Sequence, residues 1–158
     1  MVLFILIGKS FRYISEMIDN FEGEYNRPLI TLALHGNELQ TLSGLPHRCP
    51  KLRELSLASN LLNQIDESIG NMKHLTNLNL VRNKLTTLPQ TIGKCSKLQV
   101  LNLSNNHIQS LPREIGELKC IRTLNLNCNE LQKLPEEIGE MMCEEIKLDF
   151  NRIVNLPS

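Results

Sequence analysis

The residues of this 158-residue chain best suited to chemistry are a Gly8-Lys9-Ser10 triplet, four histidines, five cysteines and a late group of carboxylates. Gly8-Lys9-Ser10 follows the apolar run Val2 to Ile7, and such a triplet can close a phosphate-binding loop, where backbone amides cradle phosphates and lysine reaches the outer ones. That loop needs glycine where Leu3 stands, and strand formers fill the rest, so a turn after a capping strand accounts for the triplet. His35, His47, His74 and His107 lie 12 or more residues apart, with no helical or zinc-finger offset between them. A cysteine nucleophile paired with His47 or His74 would need an oriented base and an oxyanion hole, and nothing marks either. Glu136, Glu137, Glu140, Glu144, Glu145 and Asp149 stand against Lys133 and Lys147. A calcium loop needs alternating oxygen ligands and a glycine bend, whereas these acids fall on a turn and a strand and read as a solvated face. No catalytic, cofactor-binding or metal-binding residue emerges, and the expectation is a chain that is not an enzyme.

Composition narrows the class further. Lys plus Arg equals Asp plus Glu at 17 each and aromatics make up 4% of the chain, so neither a basic footprint nor a stacking platform for nucleic acid is present. Cys49, Cys95, Cys120, Cys128 and Cys143 form no CxxC pair, and their odd number suits a reducing compartment, the cytosol. The sequon Asn102-Leu103-Ser104 would argue for secretion, but it falls within an expected strand. Val2 to Ile7 is too short to span a bilayer and carries no signal-peptide flanks, so no membrane span is expected.

The elements that must position any site follow from a period. Asn37, Asn60, Asn83, Asn106, Asn129 and Asn151 are spaced by 23 residues four times and then by 22. Around each the sequence runs LxxLxLxxNxL, as in Leu29, Leu32, Leu34, Asn37, Leu39 and in Leu98, Leu101, Leu103, Asn106, Ile108. Residues such as Leu78 and Leu80 alternate as in a strand and point inward. A unit this short cannot enclose a core alone, so it buries its apolar side against the next. The asparagine amide offers donors and acceptors to backbone left unpaired at the turn, which predicts a ladder of structural side chains.

This pattern resembles that of leucine-rich repeats, which implies an α/β solenoid, a horseshoe with a parallel concave sheet and short helical or 3-10 convex turns. Three units add Leu88-Pro89-Gln90-Thr91-Ile92-Gly93, Leu111-Pro112-Arg113-Glu114-Ile115-Gly116 and Leu134-Pro135-Glu136-Glu137-Ile138-Gly139. There proline suits a first helical turn, isoleucine returns to the same face and glycine permits the exit. This Leu-Pro-x-x-Ile-Gly form is similar to the intracellular class of repeats in Ras-suppressor, scribble-type scaffold and plant Ras-group proteins, over residues 29–158. Two units depart: Leu42 to Pro50 looks like the irregular repeats of phosphatase regulatory subunits, and Ile65-Asp66 stands where proline is expected.

Six repeats are therefore expected over 29–158, starting at 29, 52, 75, 98, 121 and 143, behind a cap over 1–28. The cap combines a strand, readable as a degenerate first repeat with Ile5 and Ile7 inward and Ser10 near the asparagine position, and a helix carrying Phe11, Ile14, Ile18 and Phe21 on one face. Glu22 to Arg27 links cap to array. At the other end Ile146, Leu148, Ile153 and Leu156 form an apolar face with no recognisable cap.

Residues between the inward leucines face the concave side. The central column is Ala33, Ser56, Asn79, Asn102, Asn125 and Lys147, flanked by Asn77 and Val100 on one side and Asn127 on the other. One position further come Arg82, Asn105, Cys128 and Phe150. The asparagines also fit plain repeat consensus, polar filling that keeps an exposed sheet soluble. Arg82, Arg122 and Phe150 depart from such filling, and arginine and aromatics tend to dominate interfaces, so these three are the preferred contacts. The expected function is a cytosolic protein-interaction module, a signalling scaffold or regulatory subunit. Its alternatives are the recognition domain of a larger enzyme, such as a kinase, phosphatase, cyclase or ubiquitin ligase, and self-association through the C-terminal end.

Overall fold

Each repeat's alternating leucines produce one short strand, and pairing the strands side by side hides the leucines while satisfying the backbone. In the computed structural model, which describes residues 2–14 and 28–155, these are β1 (Val2–Ile5), β2 (Leu29–Ala33), β3 (Glu54–Ser56), β4 (Asn77–Asn79), β5 (Val100–Asn102), β6 (Thr123–Asn125) and β7 (Glu145–Lys147). They form one parallel sheet in sequence order. Leu32, Leu55, Leu78, Leu101, Leu124 and Ile146 are direct partners across it. Register is strict because a slip of one residue would turn every leucine to solvent.

The convex side consists of short turns: α1 (Leu45–Arg48), then four 3-10 helices, η1 (Glu67–Asn71), η2 (Gln90–Lys94), η3 (Arg113–Glu117) and η4 (Glu136–Glu140). Pro89, Pro112 and Pro135 sit just ahead of the helices, not inside their first turn, in extended conformation with ψ of 149, 147 and 148°. Asp66 takes the same conformation ahead of η1, which is why the missing proline there does not change the element. The irregular first repeat instead turns through Gly44, at φ 84°, into α1.

The glycines of the Leu-Pro-x-x-Ile-Gly motif are not conformational exits. Gly93 and Gly116 lie inside their helices and outside the left-handed region. A Cβ on Gly93 would meet Glu114 O at 2.5 Å, and one on Gly116 would meet Glu137 O at the same distance. Glycine is needed there because the next repeat's backbone passes so close.

The core is one continuous column of leucine and isoleucine running the length of the array. Cys49, Met72, Cys95, Leu118 and Met141 occupy one recurring slot, and Cys49 and Cys95 are buried in it. Burial raises both thiols, Cys95 to about 11, with Arg48 beside Cys49 and Lys73 beside Cys95 acting weakly the other way. Both are core residues rather than nucleophiles.

The strand expected in the cap is present, but it is turned over. Phe4 pairs with Leu32 and packs against the core with Leu6, whereas Ile5 and Ile7 are 55% and 45% exposed. Six consecutive apolar residues leave the facing open in sequence, and pairing with β2 decides it. Gly8 and Gly36 share a left-handed conformation, which puts Lys9, not Ser10, level with Asn37. Lys9 is therefore part of a turn; its N–H donates to Asn37 Oδ1 at 2.9 Å. Phe11 packs against the core and Ile14 is 2% exposed, in line with a capping role, while Ile18, Phe21, the 22–27 link and Leu156 lie outside the described residues.

Candidate functional site

The asparagine ladder fixes the geometry of the concave face. Asn60 Nδ2 donates to Leu57 O of its own repeat and Leu34 O of the preceding one, and its Oδ1 accepts from Leu39 N–H. Asn83, Asn106 and Asn129 repeat this set, from Asn83 Nδ2 on Leu57 O to Ile108 N–H on Asn129 Oδ1. Each side chain closes backbone groups of two neighbouring turns: the carbonyls are shared between consecutive asparagines, as Leu80 O is between Asn83 and Asn106, while each N–H depends on one asparagine alone. Asn37 to Asn129 are buried and Asn151 is half-buried. These six asparagines are structural.

With the register fixed, the outward columns lie where the sequence put them. Asn77, Val100 and Thr123 are paired neighbours, as are Asn79, Asn102 and Asn125, with Lys147 completing the second row. Thr31, Glu54, Ser56, Asn77, Asn79, Val100 and Asn102 line a shallow concavity of about 350 Å³. Glu54 accepts from Thr31 Oγ1 at 3.2 Å, and Lys147 pairs with Glu145 at 3.3 Å, both in solvent.

The three preferred contacts do not converge. Arg122 immediately precedes β6, whereas Arg82 lies three residues beyond β4, so they mark opposite edges of the sheet, two repeats apart. Phe150 follows β7 and is 83% exposed. Arg82, Asn105, Cys128 and Phe150 share a backbone state that sequence inspection missed: φ is 54, 57, 56 and 58°, and Ser59 joins them at 55°. This left-handed residue before each ladder asparagine lets its own N–H reach the next repeat, as Arg82 N–H reaches Ser104 O at 3.0 Å. Gly36, in the same place in the first repeat, was the available signal.

Asn127 belongs to a third column, beside Val81 and Ser104, and its Oδ1 accepts from Asp149 N–H at 2.8 Å. Among the described residues no group of three or more His, Cys, Asp or Glu could hold a metal ion, and no helix is long and apolar enough to cross a membrane.

Comparison with known proteins bears on the fold. Residues 73–131 match the family model described as leucine rich repeat. No curated protein matches the sequence. Among solved structures, the leucine-rich-repeat ectodomain of the receptor kinase SOBIR1 from Arabidopsis thaliana is similar, at 26% identity and a TM-score of 0.71 over 87% of this chain and 78% of that one. A leucine-rich-repeat protein of Leptospira interrogans is similar at 29% identity and a TM-score of 0.60, over 80% of this chain and 38% of that one. Geometry and comparison agree on the architecture: the chain folds as a leucine-rich-repeat solenoid whose central repeats carry the family pattern in their sequence.

Proposed function

We propose that this chain is a non-catalytic protein-interaction module that binds a folded partner on its concave face, as a cytosolic signalling scaffold or regulatory subunit. The observation that carries this reading is the face itself: a rigid parallel sheet whose outward columns are polar and solvent-facing, on a scaffold where every ladder asparagine is consumed by structure. Rigid display of side chains lowers the ordering cost of binding. Free cysteines, two of them buried with raised pKa, support a reducing compartment, and the Leu-Pro-x-x-Ile-Gly turns support the Ras-suppressor and scribble-like class.

Size bounds the affinity. Seven strands about 4.8 Å apart and about 17 Å of exposed chain give on the order of 500 Å², short of the roughly 800 Å² a standard interface takes from each partner. The edges carrying Arg82 and Arg122 therefore belong to the contact. Affinity purification with mass spectrometry, wild type against Arg82→Glu with Arg122→Glu, tests the face: the partner is lost while the melting temperature holds. Unchanged recovery rejects it.

The kinship in fold with a receptor-kinase ectodomain favours a second reading, the recognition domain of a larger enzyme. A reading frame continuing into a catalytic motif would decide for it. Met142, Phe150 and Val154, all strongly exposed near β7, favour self-association as a third. Light scattering that finds only monomer across a wide concentration range eliminates that one.

A further inference from the structure

The concave face has a polarity that its composition hides. Val81 N–H donates to Asn79 Oδ1 at 3.2 Å, Ser104 N–H to Asn102 Oδ1 at 3.1 Å and Asn127 N–H to Asn125 Oδ1 at 3.0 Å. Only the amide oxygen can accept from an N–H, so each side chain is held with its NH₂ outward. None of these three Nδ2 groups has a partner among the described residues. The centre of the face is thus a row of hydrogen-bond donors on adjacent strands. Over the same three strands charge runs the same way: residues 76–82, 99–105 and 122–128 contain two charged side chains, Arg82 and Arg122, both positive, whereas Glu54 on β3 and Glu145 and Asp149 beside Lys147 at β7 place the acidic groups in the flanking repeats. Arg122 meets only a distant, solvent-exposed Glu144, at 3.9 Å. At the N-terminal end of the same face, Ile5 and Ile7 stand half-exposed beside Ala33 and His35.

Spacing selects the shape of the ligand. Adjacent strands lie about 4.8 Å apart. An α-helix laid across them advances about 5.4 Å per turn, so one side chain per turn stays within about 1.2 Å of register over three strands. An extended peptide repeats its facing side chains every 6.6 Å or so and drifts by about 3.6 Å over the same strands. Resting on the concave-face reading above, the geometry points to an acidic α-helix as the occupant: it lies across the strands, its carboxylates meet Asn79, Asn102 and Asn125 one per turn, and its apolar end rests on Ile5 and Ile7.

The test uses a displayed library of helical peptides of about 20 residues, long enough to cross all seven strands, panned on the full chain. It compares wild type with Ser56→Trp, which obstructs the concave face without adding charge, and with the triple variant Asn79→Asp, Asn102→Asp and Asn125→Asp. Aspartate keeps the oxygen that accepts from the backbone N–H and replaces only the outward donor, so the fold is expected to hold, with a modest fall in melting temperature from three carboxylates on neighbouring strands. The expected result is enrichment of Asp and Glu once per turn, about a hundredfold weaker binding of those peptides to the triple variant, and selection of Lys and Arg by that variant instead. Peptides stopped by Ser56→Trp but neutral or basic, or bound equally by the triple variant, would overturn the acidic helix and leave the concave face standing. Peptides indifferent to Ser56→Trp would overturn both. If the triple variant fails to fold, Arg82→Gln with Arg122→Gln replaces it: weakened binding of acidic peptides supports the inference, and unchanged binding sinks it.

Discussion

Three repeats share one convex motif, yet their glycines should respond very differently to alanine. At Gly116 a new Cβ would stand 2.5 Å from Glu137 O and 2.8 Å from Glu137 Cβ, while at Gly139 nothing lies within 4 Å. Ordinary contact begins at 3.4 Å, so Gly116→Ala requires η3 and η4 to part by about 0.9 Å, against backbone that cannot swing aside. Overpacking of this kind costs about 1–3 kcal/mol. The loss of glycine's freedom in the unfolded chain returns about 0.4–1 kcal/mol. The net is a destabilisation of about 1.3 kcal/mol, or a fall of about 3–5 °C in melting temperature for a chain of this size. Gly139→Ala keeps only the favourable part and should raise the midpoint by about 1–3 °C. Gly93→Ala should match Gly116→Ala, because its Cβ also meets backbone at 2.5 Å, and Gly70→Ala should fall slightly short of them, its closest approach being 2.8 Å to Thr91 Cβ. Thermal and urea unfolding followed by far-UV circular dichroism gives all four values. Equal midpoints for Gly116→Ala and Gly139→Ala would refute close approach as the reason for the glycine, and would restore the conformational explanation.

Asn106→Ala leaves Leu85 N–H without its partner and takes one of two amide donors from Leu80 O and Leu103 O, which Asn83 and Asn129 still serve, and should cost about 1–3 kcal/mol in urea unfolding; Asn151→Ala, at a half-buried rung, should cost clearly less. Phe150→Gly and Arg82→Gly should each stabilise by about 0.5–1 kcal/mol in the same assay, since side chains other than glycine and asparagine are strained at φ near +55°, and Asn105→Gly should gain less. Because burial holds Cys95 protonated up to about 11 against an ordinary value of 9.0, its contribution to stability is complete below pH 9 and is lost as pH rises toward 11. Unfolding curves across that window should show a smaller alkaline loss for Cys95→Val than for wild type, and the native Cys95 thiol should resist Ellman's reagent at pH 8.

The array and its facing were legible because leucine spacing and the asparagine period are direct imprints of stacking. Leu78 and Leu80 could point only one way once Asn83 marked the turn. The first strand was not legible in the same manner: in Val2 to Ile7 every residue is apolar, so nothing local distinguishes Phe4 from Ile5, and the choice belongs to β2. The glycines misled for a related reason. Conformational freedom and lack of bulk look identical in sequence, and only the neighbour's backbone at 2.5 Å separates them. On the concave face, composition revealed the amides but not their orientation, which depends on N–H groups two residues along the chain. Arg82 was picked out by its type, while its placement at the sheet edge follows from a backbone state that only Gly36 hinted at.

The ladder is also directional. Leu39 N–H is closed by Asn60, Leu62 by Asn83, Leu85 by Asn106, Ile108 by Asn129 and Leu131 by Asn151. Each of these turns is therefore completed by a residue synthesised 20 or 21 positions later. On the ribosome, the newest repeat to emerge always has open backbone groups, and the arrival of the next asparagine seals it. A stalled nascent chain is therefore expected to present an unfinished turn at its growing end, wherever along the array folding begins.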